Sequence, residues 1–202
     1  MKHRRTATVQ RILGFLIAGA SLMMLPPAAV SFWYMDGTAN LFLVSAVILF
    51  LLGMAIFLPV RHVRKELRLR DGFLVVVACW LSLVLVGALP FLLLDQPEIS
   101  YVDAVFESMS GLTTTGATIL TNIDELPRGI LYYRQQLQWL GGLGIVVLAV
   151  AILPMLRIGG MQLYRAETPG PLKDSKLTPR ITETAKALWL IYLGITVLCA
   201  LA

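Results

Sequence analysis

SYVDAVFESMSGLTTTGAT, residues 100–118, lies between two long apolar runs, yet it is too short and too polar to cross a bilayer. Ser100 and Asp103 have the spacing of a capping box, so a helix begins here. Val102, Val105, Phe106 and Met109 follow at helical spacing. The helix is expected to stop near Ser110 and Gly111, because glycine tolerates the left-handed conformation that ends helices. That gives a helix of about nine residues, roughly 13 Å long. Three threonines and a glycine come next, with no hydrophobic period. The stretch reads as a re-entrant pore helix that delivers an extended loop into the membrane.

Irregular backbone at membrane depth is tolerated only where protein buries it or where it lines a wet cavity. Carbonyls left free and turned toward a shared axis can replace the water shell of a cation. Thr114, Thr115, Gly116 and Ala117 are the candidate ligands for such an ion. Threonine adds hydroxyl oxygens, and Gly116 permits a positive φ. The helix C-terminus would turn its negative partial charge toward the ion path.

Composition agrees. Of 202 residues, 57% are hydrophobic and 14% charged, against about 25% charged in soluble domains. The chain is therefore expected to be an all-α integral membrane protein. Five spans fit the apolar runs: residues 12–34, 41–60, 72–94, 135–156 and a last one from about Ala187. Pro26 and Pro27 are expected to kink the first span, and Phe32, Trp33 and Tyr34 to mark its interface. Gly141, Gly142 and Gly144 leave a groove for a neighbouring helix or for the loop. Three parts follow: residues 1–71 as a helix pair with a basic loop, 72–157 as a helix–pore helix–helix repeat, and 158–202 as a hydrophilic loop and the truncated start of a second repeat. Cys79 and Cys199 both lie in apolar runs and read as small packing residues.

Charge placement tests the parsing. The N-terminal head holds four Lys and Arg, residues 61–71 five, and residues 157–186 six, which together make fifteen of the seventeen. With five spans and one re-entrant segment, all three regions fall on one side, the cytoplasmic side by the positive-inside rule. The net charge of +5 is thereby explained without nucleic acid. The opposite side gathers Asp36, Asp95, Glu98, Asp103, Glu107, Asp124 and Glu125, a mouth that would attract cations. Glu107 sits in the pore helix, where a carboxylate is costly and needs a function or a partner.

FESMSGLTTTGAT, together with QWLGGLGIVVLAVAILPML, resembles the first pore repeat of the Trk/Ktr/HKT superfamily of potassium uptake proteins, nearest to the TrkH type. The resemblance implies four such repeats around a pseudo-fourfold axis, of which one TTTG loop is present here. It implies a potassium filter at Thr113, Thr114, Thr115, Gly116 and Ala117. It makes the first two spans an extra N-terminal pair. Potassium would be the transported ion, with no organic cofactor. The implied partners are the remaining repeats of the same full-length chain, a second copy in a homodimer, a cytosolic nucleotide-binding regulatory ring, and membrane lipid. The implied location is the bacterial inner membrane, with the N-terminus in the cytoplasm. A proton- or sodium-coupled secondary transporter would instead place acidic residues inside the spans, and the five spans contain none. A non-conducting fragment with a merely buried loop is the blander alternative. An intramembrane enzyme lacks a paired nucleophile and base, since His3 and His62 lie in cytoplasmic segments.

Overall fold

Prolines and close helix contacts decide where the apolar runs break. The computed structural model describes residues 3–63, 69–155 and 177–201, and among these the regular structure is helical throughout. Among the described residues, three helical stretches are long and apolar enough to cross a membrane, Thr6–Tyr34, Ala39–Val60 and Leu74–Leu92, and the expected fifth span is a shorter apolar helix, Lys186–Leu201. The chain divides into two units, Met1–Gln138 and Trp139–Ala202.

The first expected span is two helices, α1 (His3–Leu22) and α2 (Leu25–Tyr34). The break falls at Met23 and Met24, just ahead of the prolines. Pro26 and Pro27 occupy the first turn of α2, where a missing N–H deprives the helix of no bond. The proline pair therefore starts a new helix rather than kinking one from inside. A neighbouring helix compensates the exposed backbone: the Gln136 side-chain amide donates to the Met23 carbonyl at 2.8 Å. Phe32, Trp33 and Tyr34 are exposed, as an interfacial belt requires.

Helix α3 (Ala39–Phe57) continues as one 3-10 turn, Leu58–Val60. It crosses α1 at near-contact distance. A Cβ built on Gly53 would lie 2.3 Å from the Ala18 backbone nitrogen. Small residues thus let two membrane helices meet backbone to backbone. Arg11 of α1 donates to the Val63 carbonyl at 2.7 Å, which ties the basic head to the end of the second span. The third span is α4 (Leu69–Gly87) and α5 (Leu89–Leu92), interrupted at Ala88 ahead of Pro90. Residues 64–68 of the basic loop lie outside the described residues; His62 is exposed and accepts from Arg61 Nε at 2.9 Å.

The short helix α6 (Tyr101–Leu112) has twelve residues, about 18 Å, rather than the nine expected. Gly111 is not its stop. A Cβ there would lie 2.9 Å from the Leu137 Cβ, so the glycine serves close approach to α7 (Arg128–Met155) while the helix continues past it. The apolar stripe is split: Val105 packs against the core, and the other three members face outward. Val102, Phe106 and Met109 are 73%, 43% and 42% exposed. Ala104, Glu107, Ser108, Ser110, Gly111 and Leu112 face inward. The polar side chains of the helix thus find their hydrogen bonds on the inward face. Tyr133 of α7 centres the interior, 5.6 Å from the Phe42 ring and 5.4 Å from the Phe91 ring, with its hydroxyl donating to the Gly87 carbonyl at 2.8 Å.

In the second unit, helix α8 (Leu177–Leu201) begins ten residues before the expected start at Ala187. Pro179 lies in its first turn, so it starts the helix rather than punctuating a loop. The rest of the expected loop, residues 157–176, lies outside the described residues. The Trp139 indole donates to Thr196 Oγ1 at 3.0 Å, and the Tyr192 hydroxyl donates to the Trp139 carbonyl at 3.1 Å. Gly141 is buried, and Gly142 and Gly144 are half-buried. Cys79 and Cys199 are free thiols.

Candidate functional site

The loop after α6 is launched by a cap at each end of the helix. At the start, Ser100 Oγ accepts the Asp103 N–H at 3.2 Å and donates to the Asp103 carboxylate at 2.7 Å. At the end, the Thr115 N–H reaches the Ser110 carbonyl and the Thr114 N–H the Gly111 carbonyl, both at 3.0 Å. This pair of crossed bonds is a Schellman termination, with Thr114 in the left-handed position that glycine usually takes. Thr114 has φ +57° and Gly116 φ +75°. A β-branched residue in that region is an outlier costing about 1–2 kcal/mol. Such strain persists only where the surroundings over-determine it, and it concentrates at functional sites.

The five expected ligand residues lie together in this loop. Thr113 is half-buried, and residues 114–117 are exposed. Among the described residues, no hydrogen bond is made to the carbonyls of Thr113, Thr114, Thr115 or Gly116. Ala117 differs, because its carbonyl accepts from Ser110 Oγ at 2.6 Å. One lone pair of that oxygen is therefore already used. Thr113 Oγ1 donates to the Met109 carbonyl at 2.8 Å and lies 2.8 Å from Thr115 Oγ1. The loop thus offers neutral oxygens with no carboxylate among them. Divalent ions prefer sites built around carboxylates. A monovalent ion that exchanges water for carbonyls suits neutral oxygens better. No group of three His, Cys, Asp or Glu among the described residues could hold a metal ion.

Glu107 answers the question its sequence position raised. It is 3% exposed. One carboxylate oxygen accepts from Thr118 Oγ1 at 2.5 Å and from the Ile119 N–H at 2.8 Å. The other lies 3.3 Å from Arg134 Nε. Thr118 Oγ1 in turn accepts the Leu120 N–H at 3.1 Å. The carboxylate binds the outgoing limb of the loop and does not line it. A carboxylate in the short helix and an arginine in the helix after it, 27 positions apart, are the signal that could have paired them. Nothing in the residues themselves marked Ser110 as the holder of Ala117.

The expected acidic mouth is uneven. Asp95, Glu98, Asp124 and Glu125 are exposed, whereas Asp103 serves the cap of α6. Asp36 accepts from Ser31 Oγ, from Thr38 through its N–H (3.0 Å) and hydroxyl (2.8 Å), and from the Gly129 N–H at the start of α7 (2.7 Å). Burial alone would raise its pKa. The donors from Ser31, Gly129 and Thr38 outweigh burial and hold the carboxyl below its ordinary 3.8.

The TrkH family model, described as a cation transport protein, matches residues 39–202. The Trk system potassium uptake protein TrkH of Halomonas elongata is 62% identical over 194 residues, covering 96% of this chain and 40% of that protein. The protein of the same name from Escherichia coli K12 is 54% identical over 200 residues, 99% of this chain and 41% of its own. The crystal structure of the potassium transporter TrkH from Vibrio parahaemolyticus matches with a TM-score of 0.82 at 49% identity, over 100% of this chain and 39% of that one. The chain thus spans about two-fifths of the length of these relatives.

Proposed function

This chain belongs to the TrkH family of cation transport proteins, and on that premise we propose that it supplies one pore repeat of a potassium uptake system. Residues 72–157 are that repeat, residues 1–71 an N-terminal helix pair, and residues 158–202 the start of a second repeat. The ion is held by the carbonyls of Thr114, Thr115 and Gly116, with Thr113 and the second lone pair of Ala117 at the two edges. Four free carbonyls in a loop with two left-handed residues are the observation that carries this assignment. In an extended strand successive carbonyls point to opposite sides. Left-handed residues at alternate positions interrupt that alternation and can bring neighbouring carbonyls toward one side.

One loop supplies only part of a shell, so the remaining repeats of the full-length protein complete it. Potassium enters by exchanging water for these oxygens and leaves because no carboxylate holds it. In this reading the protein lies in a bacterial inner membrane with its N-terminus in the cytoplasm and the loop turned outward, an orientation that the basic segments on one side support. A second copy and a cytosolic nucleotide-binding ring complete the assembly. Glu107 is held by Thr118, Ile119 and Arg134, an arrangement that serves the loop rather than a moving proton.

The test is potassium uptake by the full-length protein in cells lacking their own uptake systems. Potassium-dependent growth and rubidium influx are expected. Absence of both, with the protein inserted in the membrane, would refute the assignment.

A further inference from the structure

We propose that the buried Glu107–Arg134 pair is a positioning device for the ion-coordinating loop, one that sets selectivity without touching the ion; this rests on the potassium-pore assignment above. The loop hangs between two anchors. Its incoming end is fixed by the Schellman bonds to Ser110 and Gly111. Its outgoing end is fixed by Ser110 Oγ on the Ala117 carbonyl and by Glu107 on Thr118 and Ile119. Glu107 and Ser110 are three residues apart on the inward face of α6, so a single helix face carries both outgoing contacts. Residues 114–116 lie between the anchors with their carbonyls free. Any shift of the outgoing anchor therefore changes the spacing of those oxygens.

Arg134 makes the anchor stiff. It approaches Glu107 from α7, and Leu137 and Gln138 share its helix face. Leu137 packs on Gly111, which brings α7 close enough for the guanidinium to reach the carboxylate. Glu107, Ser110, Gly111, Ala117, Arg134 and Gln138 line a partly open cavity of about 10 Å³, so little room separates the loop from the two helices. A buried carboxylate that accepts two donors on one oxygen and an arginine at the other has little freedom to move.

The experiment compares potassium and sodium flux through the full-length protein in proteoliposomes. Glu107→Ala removes the acceptor from Thr118 and Ile119, and the potassium-over-sodium ratio is expected to fall about tenfold. Glu107→Gln keeps an acceptor oxygen for Thr118 and Ile119 but loses the ion pair with Arg134, so the ratio is expected to fall, though by less than in Glu107→Ala. A role limited to stability would lower both fluxes together and leave the ratio unchanged, and that result overturns the proposal. Should Glu107→Ala fail to insert, Thr118→Val removes the loop side of the same contact without baring a charge. An unchanged ratio in that variant overturns the proposal equally. The parent protein separates the two levels: a parent without potassium flux removes the pore assignment itself, whereas a selective parent with unaltered variants removes only the positioning role.

Discussion

Replacing Gly116 by serine probes the backbone of the loop with little steric interference. At φ +75° the glycine occupies the left-handed region, yet a Cβ built there would meet nothing closer than Gln138 Nε2 at 3.9 Å. Space is available, so the penalty is conformational, about 1–2 kcal/mol for an L residue held at positive φ. That energy corresponds to a change of roughly 5- to 30-fold in the population of the loop geometry. The full-length Gly116→Ser protein should therefore admit sodium more readily relative to potassium in paired rubidium and sodium flux assays. Two further variants grade the effect. Asparagine tolerates the left-handed region and should perturb the ratio least, while β-branched valine should perturb it most. An unchanged ratio in both the serine and valine variants would refute the claim that carbonyl orientation at Gly116 sets selectivity. Equal loss in all three would point to side-chain volume instead, against the open space seen around the residue.

Gly53→Ala places a methyl group 2.3 Å from the Ala18 nitrogen and 2.7 Å from its Cα, backbone atoms that cannot yield, so α1 and α3 must separate. A loss of about 1–3 kcal/mol is expected, read as a lower melting temperature in detergent; an unaltered melt would mean the helices do not meet as described. Asp36 has a folded pKa below its ordinary 3.8, so its bonds stabilise the fold fully above that value and progressively less as pH falls toward the lowered one. The Asp36→Asn protein should accordingly melt lower near neutral pH and lose less than the parent between pH 5 and pH 3 in thermal scans; parallel pH curves for the two would count against this. A cysteine at Glu98 should react with an impermeant thiol reagent added outside intact cells, and a cysteine at Arg165 should not; the opposite pattern would reverse the membrane orientation.

Hydropathy located the first three spans because a bilayer demands apolar residues whatever the partners. The cap at Ser100 was equally legible, since its bonds close within four residues. The end of α6 was not. Gly111 carries the usual signature of a helix stop, and only the approach of Leu137 shows that the glycine serves packing. Apolar spacing did not decide which face of the same helix turns inward, since Val105 packs against the core while Val102, Phe106 and Met109 are exposed. The early start of α8 escaped for a local reason, as Pro179 reads as a loop residue until its place in a first turn is seen.

From the chain of residues alone came the membrane class, the order of the helices and, for the loop after α6, the proposed ligands Thr114, Thr115, Gly116 and Ala117, to which the family resemblance adds Thr113. These depend on composition and near-neighbour spacing. Tertiary structure alone decided what steadies that loop: Glu107 against Arg134, Thr118 and Ile119, and Ser110 against Ala117. A charge in an apolar stretch announces that it needs a partner. Which partner it has depends on how closely two helices approach, and that distance belongs to the packed fold.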